Sequence, residues 1–189
     1  MASKVQLCNI ALSRLAANTI TSLTDNTPEA RLCNTFFDEM ADQVMIEGSW
    51  SSTIKRVGLA QTTNTPIFGY TYEYQLPVNP FCLKVLNIDE TTPGSCPYRI
   101  EGDKLLIESP TVKIRYIARI TDTQAWDPYL TRAFVSRLTA ELAYQITGDN
   151  QKTEIEMEKY MKFVTEGLVL DGQQGSKDFI VTPTLTEDR

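Results

Sequence analysis

Phe68-Gly-Tyr-Thr-Tyr-Glu-Tyr-Gln-Leu-Pro77 is the stretch on which the fold turns. Tyr70, Tyr72 and Tyr74 recur at every second position, the period of a strand with one buried face. Leu76-Pro77 closes it, because proline has no N–H to give to a ladder. Further β signals follow without a helical break. Phe81 to Ile88 forms a second β segment. Ile100-Glu-Gly-Asp-Lys-Leu-Leu-Ile107 reads as a hairpin turning at Gly102-Asp103. Val112, Ile114 and Tyr116 alternate with Lys113, Arg115 and Ile117 in a last strand.

Outside this block the period changes from two to that of a helix. Before it, Val5, Cys8, Leu12 and Leu15 share one face of a helix over residues 4–17, with Ser3 as N-cap. Thr27-Pro28-Glu29 opens a second helix with an N-cap, a proline at the first helical position and an early acid at the positive end of the dipole. Its stripe is Leu32, Cys33, Phe36, Phe37, Met40, Val44 and Met45, and Gly48 ends it. At about 20 residues it spans roughly 30 Å. After the β block, Asp127-Pro128 repeats the start signal. Leu130, Phe134, Leu138, Leu142 and Ile146 continue that helix until Gly148. Asp149 or Asn150 opens a fourth helix, with Ile155, Tyr160, Val164 and Leu168 as its apolar positions.

The expected fold is therefore α+β. Two N-terminal and two C-terminal helices form a bundle interrupted by an antiparallel β insertion, followed by an extended C-terminal arm. The divisions fall at residues 1–55, 56–120, 121–170 and 171–189. Phe179, Ile180 and Val181 give the arm an apolar segment too short for a core of its own. It either folds back on its parent or packs on another subunit.

Composition narrows the chemistry. The 189 residues contain no histidine, which removes Ser-His-Asp and Cys-His catalysis and nearly all catalytic zinc sites. A net charge of −6 gives no bulk electrostatic grip on nucleic acid. Cys8, Cys33, Cys82 and Cys96 contain no C-x-x-C pair and read as reduced thiols of a cytosolic product. Asn9, Ser13 and Arg14 interrupt the first apolar run, so it reads as an amphipathic helix and not a signal peptide. No membrane span, metal or cofactor is expected.

Few motifs carry chemistry. Ser52-x-x-Lys55 has the spacing of serine acyl-transfer enzymes but lacks their companion triplets. Carboxylates available for glycoside hydrolysis include Glu39, Asp42, Glu101, Glu141 and Glu158. Most fall on polar helix faces. Glu141 lies among apolar residues, and an ion pair with Arg137, four residues earlier, is its favoured reading. Lys113, Arg115 and Arg119 form the one basic cluster, which reads as a solvated strand face or as a contact for an acidic partner.

The ordered set of elements resembles a known family. It comprises Leu7-Cys-Asn-Ile-Ala-Leu-Ser-Arg-Leu15, Gly48-Ser-Trp50, Lys55-Arg56-x-x-Leu59-Ala60 and the Phe68–Pro77 stretch. Val112-Lys-Ile-Arg-Tyr-Ile-Ala-Arg119, Asp127-Pro128, Arg137-Leu-Thr-Ala-Glu-Leu-Ala143 and Thr147-Gly-Asp149 complete it. Together these resemble the head-to-tail adaptor (connector) proteins of tailed bacteriophages, the tail tubular protein A and head-completion class, from about Leu7 to Leu168. Trp50, Arg56, Tyr70, Tyr72, Leu76, Pro77 and Arg137 match the recurring pattern as fold determinants.

The resemblance implies a structural virion protein at the head–tail junction, with no enzymatic role. It implies a homo-oligomeric ring, usually twelvefold, beneath the portal protein. The ring would extend the DNA channel and present a platform to a downstream tail or nozzle protein, with DNA passing through unbound. It also makes Phe179, Ile180 and Val181 candidates for contact with the portal or a neighbour. Twelve subunits at −6 each would carry about −72, a field that repels a sliding phosphate backbone if enough of it faces the lumen. Two readings compete with it: a cell-wall glycan hydrolase using carboxylates such as Glu141, and an assembly factor absent from the finished particle.

Overall fold

The computed structural model describes residues 2–48, 50–88 and 97–172. Phe179, Ile180 and Val181, like Cys96, lie outside the described residues.

Among the described residues are four helices, α1 (Lys4–Arg14), α2 (Pro28–Gly48), α3 (Pro128–Thr147) and α4 (Asn150–Gly172). Six strands lie between α2 and α3: β1 (Ile54–Gly58), β2 (Tyr72–Gln75), β3 (Cys82–Ile88), β4 (Tyr98–Glu101), β5 (Lys104–Ile107) and β6 (Lys113–Ala118). The α+β class and the interrupted helical bundle are as expected. No helix among the described residues is long and apolar enough to cross a membrane.

Local chemistry sets the helix ends. Ser3 and Gln6 form a reciprocal capping box at α1. Thr27 accepts from the Ala30 N–H at the start of α2. Asp127 accepts from the N–H groups of Tyr129 and Leu130 at 2.9 and 2.8 Å, one residue before Pro128. Gly148 closes α3 with φ +68°. Helix α1 stops at Arg14, three residues before the expected end. The chain turns there through Leu15 and Ala16, whose φ is +56°.

The strands make two three-stranded antiparallel sheets, in the orders β1-β6-β3 and β2-β5-β4. Strand β1 has no counterpart in the sequence reading, and the division at residue 55 falls inside it. The sheets pack face to face through Tyr74, Leu105, Ile107, Val112, Ile114 and Tyr116. The opposite face of the β1-β6-β3 sheet carries Ile117, fully buried with Phe37, Trp126 and Phe134 in the helical core. Helices, first sheet and second sheet thus follow as layers, and β6 contributes side chains to both cores.

Helix α4 faces the bundle differently from expectation. Tyr160 is buried and Val164 partly so, but Ile155 and Leu168 are 50% and 43% exposed. The buried position beside Ile155 is Glu156, held by Arg14 at 3.0 Å and Lys159 at 2.6 Å. Arg14 also donates to Ser136 on α3 at 2.9 Å, so one carboxylate ties α1 and α4 beside α3.

Candidate functional site

The basic cluster divides along β6. One face of the strand, with Val112, Ile114, Tyr116 and Ala118, is buried between the sheets. The other face runs from exposed Lys113 through half-buried Arg115 to buried Ile117, as the strand passes beneath the helices. Arg119 comes next and is committed to α2. Its Nε donates to Asp42 Oδ1 at 2.8 Å and its second nitrogen to Asp42 Oδ2, while the guanidinium lies 4.7 Å over the Phe81 ring. The hydrogen bond to Asp42 raises the Arg119 pKa above its ordinary value.

Arg119 is therefore a strut between β6 and α2, separated from Lys113 and Arg115. The residue beside Arg115 is Arg56, directly opposite it in the β1–β6 register. Sequence reading assigned Arg56 a fold role alone. The missing signal was the register, which pairs Arg56 with a residue 59 positions away.

Of the candidate acids, Glu101, Glu141 and Glu158 lie on separate elements, while Glu39 and Asp42 share α2. Glu141 lies 3.8 Å from Arg137 in the expected i,i+4 pair. Arg137 also donates to Gln43 on α2 at 3.2 Å. Glu101 and Glu158 are exposed on β4 and α4. Ser52 Oγ donates to Asp127 Oδ2 at 2.7 Å, so this hydroxyl supports the α3 cap, while Lys55 is exposed on β1. Among the described residues no group of three or more Cys, Asp or Glu side chains is placed to hold a metal ion.

Three interior titratable groups, Cys8, Cys33 and Tyr160, are built into helix contacts. Cys8 on α1 and Cys33 on α2 are both buried, and a hydrogen bond between them together with burial pushes the Cys8 thiol up. Burial, reinforced by its hydrogen bond to Glu47, pushes the Tyr160 hydroxyl well above the ordinary tyrosine range.

Glu39 and Asp42 line a pocket of about 280 Å³ beside α2. Phe37, Met45, Ile120 and Trp126 contribute its apolar wall. At its rim Lys4 pairs with Asp38 at 2.7 Å and Arg119 with Asp42, and Glu39 adds a further carboxylate.

The other conspicuous surface feature is the chain between β1 and β2. Ile67 and Phe68 are 98% and 86% exposed at its tip. Both roots are tied to the second sheet. Thr62 donates through its N–H to Glu73 O and through Oγ1 to Glu73 Oε1, each at 2.9 Å. Thr71 donates to the Glu108 carboxylate from its N–H at 2.9 Å and from Oγ1 at 2.6 Å. Gly69, at φ +85°, supplies the turn beside the tip. Large apolar side chains held into solvent by polar anchors at their base suit contact with another protein surface.

The last turns of α4 expose Leu168, Val169 and Leu170 in succession. No family model matches the chain, and no curated protein matches it.

Proposed function

We propose that the chain is a structural subunit of a bacteriophage head-to-tail adaptor. In this reading, copies assemble as a ring under the portal protein, twelvefold by resemblance. The ring joins the portal to a downstream tail or nozzle protein and continues the DNA channel. The observation that carries the reading is the set of outward apolar side chains at two separate places, Ile67 and Phe68 on the anchored tip and Leu168 to Leu170 on α4. An adaptor subunit needs one surface for its neighbour in the ring and another for the parts above or below it, and two separate apolar places supply both.

The ordered bundle–insertion–bundle pattern supports the same assignment through the family resemblance. The commitments of the candidate acids also support it. Asp42 serves Arg119 and Glu141 pairs with Arg137, so each has a structural role that requires no chemistry. The net charge of −6 accords with passage of DNA without retention. Phe179, Ile180 and Val181 remain the proposed contacts with the portal or a neighbour. Lys113 and Arg115, beside Arg56, remain a proposed patch for an acidic partner surface.

Quantitative mass spectrometry of purified particles of the encoding phage tests the assignment. The chain is expected as a stoichiometric component in a fixed ratio to the portal. Its absence from finished particles would favour an assembly factor instead.

A further inference from the structure

We propose that the Ile67–Phe68 tip of one copy seats in the pocket beside α2 of the next copy. This deepens the ring reading above and rests on it. The tip belongs to the β insertion and the pocket to the helical bundle, so the contact joins unlike surfaces and propagates around a ring.

Size, charge and rigidity fit together. A cavity of roughly 150 Å³ holds a benzene ring. The pocket's 280 Å³ therefore takes the Phe68 phenyl with room for part of Ile67. Between Gly58 and Glu73 the sequence contains no Asp, Glu, Lys or Arg, so the incoming segment brings no charge to desolvate. On the receiving side the Lys4–Asp38 and Arg119–Asp42 pairs neutralise each other, Glu39 is the one further carboxylate at the rim, and the wall between them is apolar, so an uncharged segment meets little opposing charge. The Thr62–Glu73 and Thr71–Glu108 bonds hold the roots of the tip before docking, which reduces the ordering cost of association.

The test uses full-length chain with Cys82 and Cys96 replaced by Ser. Copies carrying Phe68→Cys are mixed with copies carrying Glu39→Cys at the pocket rim, and a short bismaleimide is added. A crosslinked heterodimer should form well above the level of a control mixture with Ser13→Cys, an exposed position on α1. In sedimentation equilibrium, Phe68→Asp should weaken self-association on the order of tenfold or more, the scale of one buried phenyl ring. Phe68 is exposed, so unchanged circular dichroism and Tm are expected for that variant. Crosslinking no greater than the Ser13 control, no crosslinked product at all, or unchanged association of Phe68→Asp would overturn the proposal. Portal binding by Phe68→Asp alongside lost self-association would support the tip contact and retain the adaptor reading. Tip-dependent crosslinking with no affinity for portal rings would support the contact and reject the adaptor role.

Discussion

The indole of Trp50 occupies the place where a side chain at Gly167 would stand. A Cβ added to Gly167 would lie 2.2 Å from Trp50 Cζ3. The same indole crowds Gly48, where a Cβ would lie 2.1 Å from Cε2, and its N–H donates to Val44 O at 2.9 Å. One buried ring thus fastens the end of α2 to α4 at the start of the β insertion. Gly167→Ala should lose stability despite a helix-propensity gain of about 1 kcal/mol. Overpacking against a fixed indole costs about 1–3 kcal/mol. Urea denaturation measures the difference, with Gly58→Ala, which meets nothing within 4 Å, as the control without a clash.

Glu156 gives a second test of the bundle. Arg14→Met removes one of its two cations and the hydrogen bond to Ser136. The carboxylate is buried, so the expected loss is about 1–3 kcal/mol, with Lys159 limiting it. Glu156→Gln combined with Arg14→Met should cost less than the sum of the single changes. Additive losses in a double-mutant cycle would contradict the pairing.

Alkaline unfolding should depend on Tyr160. Its folded-state pKa lies above the unfolded value of about 10, so the folded state keeps a proton that the unfolded state releases as pH rises. This contribution is therefore full below pH 10 and declines above it, by up to about 1.4 kcal/mol per pH unit. Tyr74 and Tyr116 are shifted the same way by burial, so Tyr160→Phe should flatten the decline in part. Urea midpoints from pH 9 to 12 read the slope, and an unchanged slope in Tyr160→Phe would contradict the account.

Arg119 and Asp42 should be coupled although both are partly exposed. A cycle of Arg119→Ala and Asp42→Ala is expected to give about 0.5–1 kcal/mol, diminishing as salt is raised. Lys113→Ala should leave stability nearly unchanged, because Lys113 is exposed on the same face of β6.

Sequence was informative wherever a local signal sufficed. Asp127-Pro128 announced α3, and Gly102-Asp103 announced the β4–β5 turn, where Gly102 has φ +60°. Strand β1 escaped because Lys55, Arg56, Val57 and Gly58 are all exposed on an edge strand, leaving no alternation to read. The buried face of α4 was misassigned at Ile155 because the bundle buries the charged Glu156 in its place. That choice depends on Arg14, 142 positions away. The site was less legible than the fold. Arg119 looked like a free cation until the structure placed Asp42, 77 positions earlier, beside it. Phe68 showed only as the start of a tyrosine-rich segment, and Ile67 carried no signal. Their exposure follows from Glu73 on β2 and Glu108 just after β5, which anchor the two roots of the loop.

The proposed docking of this chain on a portal ring is tested by electron microscopy of the two together. Purified full-length chain incubated with isolated portal rings should add a second ring of density of matching symmetry, coaxial with the portal and leaving the channel open. Unchanged portal rings at saturating concentrations of folded chain would contradict the account.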